Sequence, residues 1–229
     1  YFSSASRPFG MVNLNPDTEI KGDWGGGYKY TTDTVKGFSH VHEWQLSGVS
    51  VLPVTISKEN KTSIFKDFYS KFSHKTEIAK PYYYSVYLAD YDITTEITPT
   101  ERAAAFQFTF PETANGYIVI DAFDRGSYLK IIPSENKIIG YSTKYARGKL
   151  NNFKNYFVIV FDKAFDPSSL WSDATKMNEL ELSGGHISGL IYFKNLKKGE
   201  KISAKVASSF ISWEQAERNL KEIGSDDFE

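Results

Sequence analysis

The sequence contains no cysteine, so it has neither a disulfide framework nor thiolate chemistry. Its longest apolar stretches are a few residues, far shorter than a membrane-spanning helix requires. Long runs of like charge are also missing, and 27 Lys and Arg residues nearly balance 28 Asp and Glu residues. A chain of this kind lacks the basic surface of a nucleic-acid-binding domain. The absence of cysteine is compatible with a bacterial envelope protein.

The two ends of the chain lack the features of natural termini. The chain begins at Tyr1, with neither an initiating methionine nor a signal peptide. At the other end, Asp226–Glu229 follows a predicted helix without a terminating motif of its own. We therefore expect both ends to be cuts in a longer polypeptide.

Strand signals dominate the chain, and they predict an all-β fold. Aromatic residues make up 16% of the sequence, an excess that favours strands. Phe106, Phe108 and Phe110 alternate with polar residues, as expected for a strand with one buried face. Nearly continuous apolar runs at 117–120 and 156–161 predict central strands buried on both faces. Strands this short and closely spaced are typical of a sandwich or a barrel.

One turn and one internal segment have distinct predicted structures. Residues 190–193 and 202–206 flank the turn Asn195–Glu200, which predicts a hairpin with Gly199 at a position of positive φ. Apolar residues at helical spacing predict a short internal helix over 61–72.

The C-terminal segment predicts an amphipathic helix. Ser212 and Gln215 form a capping box at its start, and Gly224 occupies the position of a left-handed cap at its end. The apolar stripe of this helix consists of Ala216, Leu220 and Ile223. Such a stripe must pack on the β domain or lead to another domain.

The loop around the glycines at 25–27 is the most informative part of the sequence. Three glycines let the backbone turn tightly and approach a ligand closely. Trp24 precedes them, and Tyr28 and Tyr30 follow. The pattern indicates either a core tryptophan beside a tight turn or a sugar-stacking platform on a loop. A nucleotide site is excluded, because the glycines lack the strand–helix setting and the lysine of a phosphate-binding loop.

His40 and His42 form a pair whose side chains share one face of a predicted strand. A zinc site would need a third ligand, and His74 and His186 are remote in the sequence. Two interpretations stay open for the pair. The histidines either bind sugar hydroxyls or a partner domain, or they have a structural role.

The acidic residues do not identify a catalytic pair. An inverting glycosidase needs two carboxyl groups about 6.5–9.5 Å apart. No spacing selects such a pair among the candidates, which are Asp23, Glu43, Asp67, Glu96, Glu101, Asp121 and Asp124. Asp121 and Asp124 lie beside Arg125 and Gly126 at the end of a predicted buried strand, so a turn or a salt bridge accounts for them.

Seven segments, taken in order, together resemble one known family. Residues 7–18, Arg-Pro-Phe-Gly-Met-Val-Asn-Leu-Asn-Pro-Asp-Thr, are similar to a P-F-G-M-V-x-L-S-P-D-T signature. The further matches are Gly27–Tyr30 with G-Y-H-Y, Gly37–His42 with G-F-S-H-T-H, Phe72–His74 with F-S-H, Tyr83–Val86 with Y-Y-S-V, Thr100–Arg102 with T-E-R, and Ser209–Leu220 with S-F-I-S…A-x-x-N-L. Each motif alone is weak, but their order over the whole chain resembles glycoside hydrolase family 92.

The resemblance implies one part of a two-part enzyme. Family members are bacterial, calcium-dependent, inverting exo-α-mannosidases. Their N-terminal domain is a large antiparallel β-sandwich of two sheets, of the supersandwich type, which we expect over 1–210. Residues 211–229 would begin the helical linker to an (α/α)6 domain. In the family, that second domain holds the general acid Glu, the base Asp and most calcium ligands, so we expect this chain to contain no catalytic residue or metal ligand and to be inactive alone.

The resemblance also implies a substrate and a set of binding residues. The sandwich loops of the family close over a mannose-containing glycan. By resemblance, the residues expected to bind the sugar are Trp24, Gly26, Gly27, Tyr28, His40 and His42. We expect an α-1,2-mannosidase in a secreted, periplasmic or outer-membrane location.

Two departures from the family pattern keep other functions open. After S-H-T-H the family usually continues with L-S-G-T-G, whereas this chain has Glu43–Ser50, E-W-Q-L-S-G-V-S. In addition, Lys29 replaces the frequent His of G-Y-H-Y. These changes leave α-1,3, α-1,4, α-1,6 and mannosyl-phosphate substrates open. The alternatives from other classes are a carbohydrate-binding or adhesion module without catalysis and a purely structural sandwich.

Overall fold

The computed structural model of the chain describes residues 5–18, 27–42, 46–56, 68–145, 150, 152–173 and 175–224, without the side chains at 42, 46, 47 and 167. Within these residues the chain forms two large antiparallel sheets, as predicted. The seven-stranded sheet contains, in spatial order, β1 (Asn15–Pro16), β3 (Phe38–His42), β4 (Leu46–Thr55), β10 (Thr113–Asp121), β17 (Ile187–Leu196), β14 (Asp166–Ser172) and β15 (Thr175–Lys176).

The second large sheet has nine strands. In spatial order it contains β16 (Glu181–Gly184), β11 (Ser127–Ile132), β12 (Lys137–Ser142), β13 (Asn155–Phe161), β18 (Glu200–Ser209), β9 (Ala103–Phe110), β8 (Ile93–Pro99), β7 (Tyr83–Leu88) and β6 (Ile78–Lys80). A two-stranded sheet, β2 (Thr34–Val35) with β5 (Ser70–Lys71), completes the strands.

The inner faces of the two large sheets share one hydrophobic core. Phe38 and Ile118 of the seven-stranded sheet belong to the same buried cluster as Phe106 and Phe157 of the nine-stranded sheet. The alternation predicted for β9 is confirmed, because Phe106, Phe108 and Phe110 are buried while the residues between them are half-buried. This is the two-layer packing expected of a β-sandwich.

The predicted hairpin at Asn195–Glu200 is wrong, although its glycine is correctly placed. Gly199 has a φ of 77°. The flanking strands do not pair, however: β17 pairs with β10 and β14, whereas β18 pairs with β13 and β9. The turn therefore carries the chain from one sheet to the other. Both strands still bury one face, because each lines the same core from opposite sides.

The predicted internal helix over 61–72 falls mainly outside the described residues. In the described part, Ser70 and Lys71 form β5, which pairs with β2. The last part of the helix prediction is therefore wrong. Pairing with Thr34 and Val35 supplies backbone hydrogen bonds that local apolar spacing could not indicate.

The C-terminal helix forms and packs on the sandwich. Helix α1 (Trp213–Asn219) is capped by Ser212, whose hydroxyl accepts the predicted hydrogen bond, 3.2 Å long, from the backbone N–H of Gln215. A 3₁₀ turn, Leu220–Glu222, continues it. The chain then leaves in an extended conformation at Ile223 (φ −88°, ψ 115°), and Gly224 has no positive φ, so the predicted left-handed cap is not formed.

The helix and the 3₁₀ turn after it pack on the outer face of the nine-stranded sheet, where the sheet has small side chains. Ile223 and Leu220 pack against alanines at 103, 105 and 207, whose short side chains leave room for them. Thr100 and the backbone N–H of Arg102 donate hydrogen bonds of 2.8 and 2.9 Å to the Glu222 carboxylate, which also pairs with the Arg102 guanidinium. The amphipathic stripe is thus buried on the sandwich itself.

None of the helices in the described part of the chain has both the length and the apolar character needed to cross a membrane.

Candidate functional site

The segment that follows the three glycines is held against the chain just after β1. Gly27 has a φ of 118°, so the predicted need for glycine is confirmed at this position. Its carbonyl accepts hydrogen bonds of 3.0 Å from both the backbone N–H and the hydroxyl of Thr18. The same hydroxyl accepts a 2.6 Å hydrogen bond from the backbone N–H of Lys29. Thr18 therefore fixes the backbone on both sides of Tyr28.

A buried carboxylate, Glu77, connects this segment to the nine-stranded sheet. It accepts hydrogen bonds from the hydroxyls of Tyr28 (3.0 Å) and Tyr84 (2.7 Å). Nδ1 of His74 lies 2.7 Å from the same carboxylate. Burial, and then the contacts with Glu77, raise the pKa of Tyr28 above that of an ordinary phenol and raise the pKa of Tyr84 well above it. Both hydroxyls therefore stay protonated and act as donors.

The imidazole of His74 is fixed at both nitrogens. Nε2 lies 2.8 Å from the carbonyl oxygen of Tyr30, and because a carbonyl only accepts, this nitrogen carries a proton. The ring of Tyr30 stacks on the imidazole, with centroids 4.1 Å apart and planes at 18°. Phe72 contacts the imidazole edge-on at 5.0 Å. We call Tyr28, Tyr30, His74, Glu77 and Tyr84 the tyrosine–histidine cluster.

This cluster unites segments that the sequence shows far apart. It joins Gly27–Tyr30, Phe72–His74 and Tyr83–Val86, three of the segments that carry the family resemblance. Sequence reasoning missed Glu77, His74 and Tyr30 as members of one site. One signal was available in the sequence. Each of these three segments carries a tyrosine or a histidine, whose ring can pack against other rings and whose polar atoms can form hydrogen bonds.

The predicted sugar-binding residues have different surroundings. Tyr28 is half-buried, and its hydroxyl bonds to Glu77. Trp24 and Gly26 lie outside the described residues. The backbone of His42 ends β3, but its side chain is not among those described. The assignment of these residues to a sugar site stays a prediction.

His40 lies in the interior of the sandwich. It is fully buried, and its Nδ1 lies 2.8 Å from the hydroxyl of Ser208 on the opposite sheet. Ser39, the neighbour of His40 on β3, donates a 2.6 Å hydrogen bond to buried Asp17. Ser50, on β4, donates to the same carboxylate at 2.9 Å. This geometry favours the structural interpretation of His40 that the sequence left open.

Three of the described acidic candidates, Glu96, Asp121 and Asp124, have local side-chain partners. Asp121 lies 2.7 Å from Nε2 of His186, and Asp124 forms a 2.6 Å ion pair with Lys144. The hydrogen bond that Nε2 of His186 donates to the Asp121 carboxylate raises the pKa of His186, with burial opposing it. Asp23, Glu43 and Asp67 lie outside the described residues.

A metal site needs several donor groups around one point. No group of three or more His, Asp and Glu side chains in the described ranges is arranged to hold a metal ion. The described carboxylates are therefore not grouped as the acidic ligands of a calcium ion usually are.

Comparisons with known proteins agree with the sandwich and its motifs. The sequence profile of the glycosyl hydrolase family 92 N-terminal domain matches residues 1–209. A family 92 inverting mannosidase from Bacteroides thetaiotaomicron superposes with a TM-score of 0.87 and 31% identity, covering 98% of this chain and 30% of that protein. A family 92 α-mannosidase from the same organism gives a TM-score of 0.85 and 29% identity, covering 98% of this chain and 33% of that one.

A curated relative comes from a fungus. The protein named "Uncharacterized secreted glycosidase" from Arthroderma benhamiae is 26% identical over 264 residues, covering 100% of this chain and 34% of that protein. The chain spans about a third of the length of these relatives. Because the profile covers nearly the whole chain and the sandwich superposes on solved members, this chain belongs to glycosyl hydrolase family 92, as its N-terminal domain.

Proposed function

We propose that this chain is the N-terminal domain of a secreted, calcium-dependent exo-α-mannosidase that hydrolyses α-1,2-linked mannose from glycans with inversion. The observation that carries this proposal is the superposition of 98% of the chain on an inverting mannosidase with a TM-score of 0.87. The secreted relative from Arthroderma benhamiae supports export of the protein from the cell.

In this proposal the chemistry belongs to a second domain of the same polypeptide. The chain spans about a third of the length of its relatives, which supports a longer protein. Residues 211–229 begin the linker to an (α/α)6 domain that supplies the general acid Glu and the base Asp. The carboxylates of Asp121, Asp124 and Glu77 are held by neighbouring side chains, which suits structural roles.

Calcium is assigned to the second domain as well. No three His, Asp or Glu side chains of the described residues are grouped to hold it. When bound there, the ion would supply positive charge to stabilise the sugar during cleavage, and this chain would contribute sugar-binding loops.

The loops of the sandwich would form one wall of the mannose pocket. We propose that Trp24, Gly26, Gly27, Tyr28 and His42 line it. Tyr28 would contribute its ring, since its hydroxyl bonds to Glu77. His40 would act indirectly, by fixing β3 through its contact with Ser208.

The test uses the full-length protein with α-1,2-mannobiose. Proton NMR during the first turnovers should show β-mannose forming before mutarotation, because inversion at an α-linkage gives the β-anomer. Chelation should abolish hydrolysis, and added calcium should restore it. Residues 1–229 alone, with folding verified by circular dichroism, should show no turnover.

Three outcomes would contradict the proposal. Initial release of α-mannose would exclude inversion, and turnover by residues 1–229 would place the carboxylates in this chain. Binding of mannan by residues 1–229, with no hydrolysis by the full-length protein, would favour a carbohydrate-binding or adhesion module.

A further inference from the structure

The ring of Tyr30 is exposed on one side and supported on the other. It stacks on His74 at 4.1 Å, yet 69% of the residue remains exposed. Because the imidazole covers one face of the ring, the exposed area belongs to the opposite face and the edge. Tyr30 therefore presents a flat aromatic surface to solvent.

The support beneath this surface is rigid. Glu77 holds Nδ1 of His74, and Nε2 of the same imidazole donates to the carbonyl of Tyr30. The backbone and the ring of Tyr30 therefore both contact the His74 imidazole, which is held in place. Phe72 packs edge-on against the same imidazole. An aromatic ring that is already immobilised loses little conformational entropy when a ligand binds to it.

The neighbouring carboxylate suits binding and not bond cleavage. Glu77 is buried, and its oxygens are engaged by Tyr28, Tyr84 and His74. A general acid or base must reach the proton that it transfers. A sugar on the outer face of Tyr30 would be separated from Glu77 by the Tyr30 and His74 rings.

We propose that the exposed face of Tyr30 is an accessory sugar-binding platform, which stacks against the apolar C–H face of one pyranose ring of a mannose-containing glycan, outside the site of cleavage. The identity of the glycan rests on the proposed function. The chemistry follows from the ring, because a flat apolar surface with a polar hydroxyl at its tip matches a sugar, which has apolar faces and a polar rim.

The experiment compares a long and a short substrate in the full-length protein. Tyr30→Ala should raise KM for polymeric α-mannan about tenfold, the factor that corresponds to an aromatic contact of about 1.4 kcal/mol. Its kcat/KM for α-mannobiose should stay unchanged, because the disaccharide fills only the cleavage site. Tyr30→Phe keeps the ring and should retain wild-type kinetics. Tyr87→Ala, at another exposed tyrosine, is the matched control. It should leave the kinetic constants unchanged for both substrates.

Two kinetic outcomes would overturn the platform. Equal loss on mannan and mannobiose would mean that Tyr30 acts in the cleavage site or in contact with another domain. Unchanged kinetics on both substrates would mean that its exposed face binds no sugar.

A second measurement separates this inference from the proposed function. If the wild-type protein hydrolyses neither substrate, the proposed function fails. Electrophoresis through gels containing α-mannan then tests, independently of hydrolysis, whether Tyr30 binds the glycan. Retardation of the wild type that is lost in Tyr30→Ala and kept in Tyr30→Phe would support the platform. Equal mobility of wild type and Tyr30→Ala would refute it.

Discussion

The carbonyl oxygen of Gly140 accepts a 2.8 Å hydrogen bond from the indole N–H of Trp213, the first residue of α1. The indole lies among the rings of Tyr128, Tyr141 and Tyr156, with centroids 5.3 to 6.2 Å away. The helix is thus anchored to the outer face of the nine-stranded sheet at a glycine. These contacts fix the start of the helix on the sheet.

Gly140→Ala should destabilise the protein. A Cβ at this position would lie 2.6 Å from the carbonyl oxygen of Tyr128 and 2.3 Å from the ring of Phe157, and the backbone oxygen cannot move aside. We expect a loss of about 1–3 kcal/mol in the free energy of unfolding, measured by urea denaturation. Gly185→Ala is the control, because a Cβ there meets no atom within 4 Å. Equal effects of the two substitutions would contradict the argument.

Asn155→Leu should be neutral or stabilising. In the described structure the side-chain amide of Asn155 is buried, and neither its nitrogen nor its oxygen has a hydrogen-bond partner. Removing such a group relieves a desolvation cost of about 1–3 kcal/mol. Thermal and urea unfolding measure the effect.

The matched control for this prediction is Asn219→Leu. The amide of Asn219 donates a 2.8 Å hydrogen bond to the carbonyl of Ser208 and accepts one of 2.9 Å from Gln215. Because Asn219→Leu removes both hydrogen bonds, it should destabilise the protein by about 1–3 kcal/mol. A loss of stability in Asn155→Leu comparable to that in Asn219→Leu would show that the Asn155 amide has a role in stability.

His186→Gln should change the pH dependence of stability. The hydrogen bond to Asp121 raises the pKa of His186, with smaller contributions in the same direction from Asp124 and Asp173, while burial opposes them. A raised pKa in the folded state contributes stability below the ordinary histidine pKa of about 6.5, and this contribution disappears as pH rises through the folded-state value. The wild type should therefore have a higher free energy of unfolding than the variant, and this difference should be largest at pH 5.5 and smallest at pH 9.

Denaturant unfolding across this pH range tests the prediction. Asp121→Asn should remove the same pH-dependent contribution, since it removes the partner of the imidazole. A stability difference that grows towards pH 9 would have the wrong sign.

Phe9→Asn should stabilise the protein. Phe9 is fully exposed and has a φ of 63°, at the third position of a turn closed by a 3.0 Å hydrogen bond from the Gly10 N–H to the Arg7 carbonyl. The left-handed region costs most residues about 1 kcal/mol, and asparagine tolerates it better. The melting temperature should rise in Phe9→Asn but not in Phe9→Ala, which keeps a Cβ without the local hydrogen bonding of asparagine. An equal rise of the melting temperature in both variants would mean that removal of the exposed ring causes the effect.

The sequence by itself determined the local structure of this protein. Alternation at Phe106–Phe110 identified a strand with one buried face, and Ser212 with Gln215 identified the start of a helix. The motifs between Arg7 and Leu220 indicated the family. These signals are local: a period of two reports that one face is buried, and a cap is formed within four residues.

Only the tertiary structure decided which strands are neighbours and which side chains meet. Strands β17 and β18 both show one buried face, and that pattern is the same whether two strands pair in one sheet or lie in opposite sheets over one core. Tyr30 and His74 are 44 residues apart, and their contact depends on how the chain closes around β2 and β5. Local patterns carry no information about such separations. The exposed ring of Tyr30 and the Tyr28 hydroxyl bonded to Glu77 could therefore be distinguished only in the folded chain.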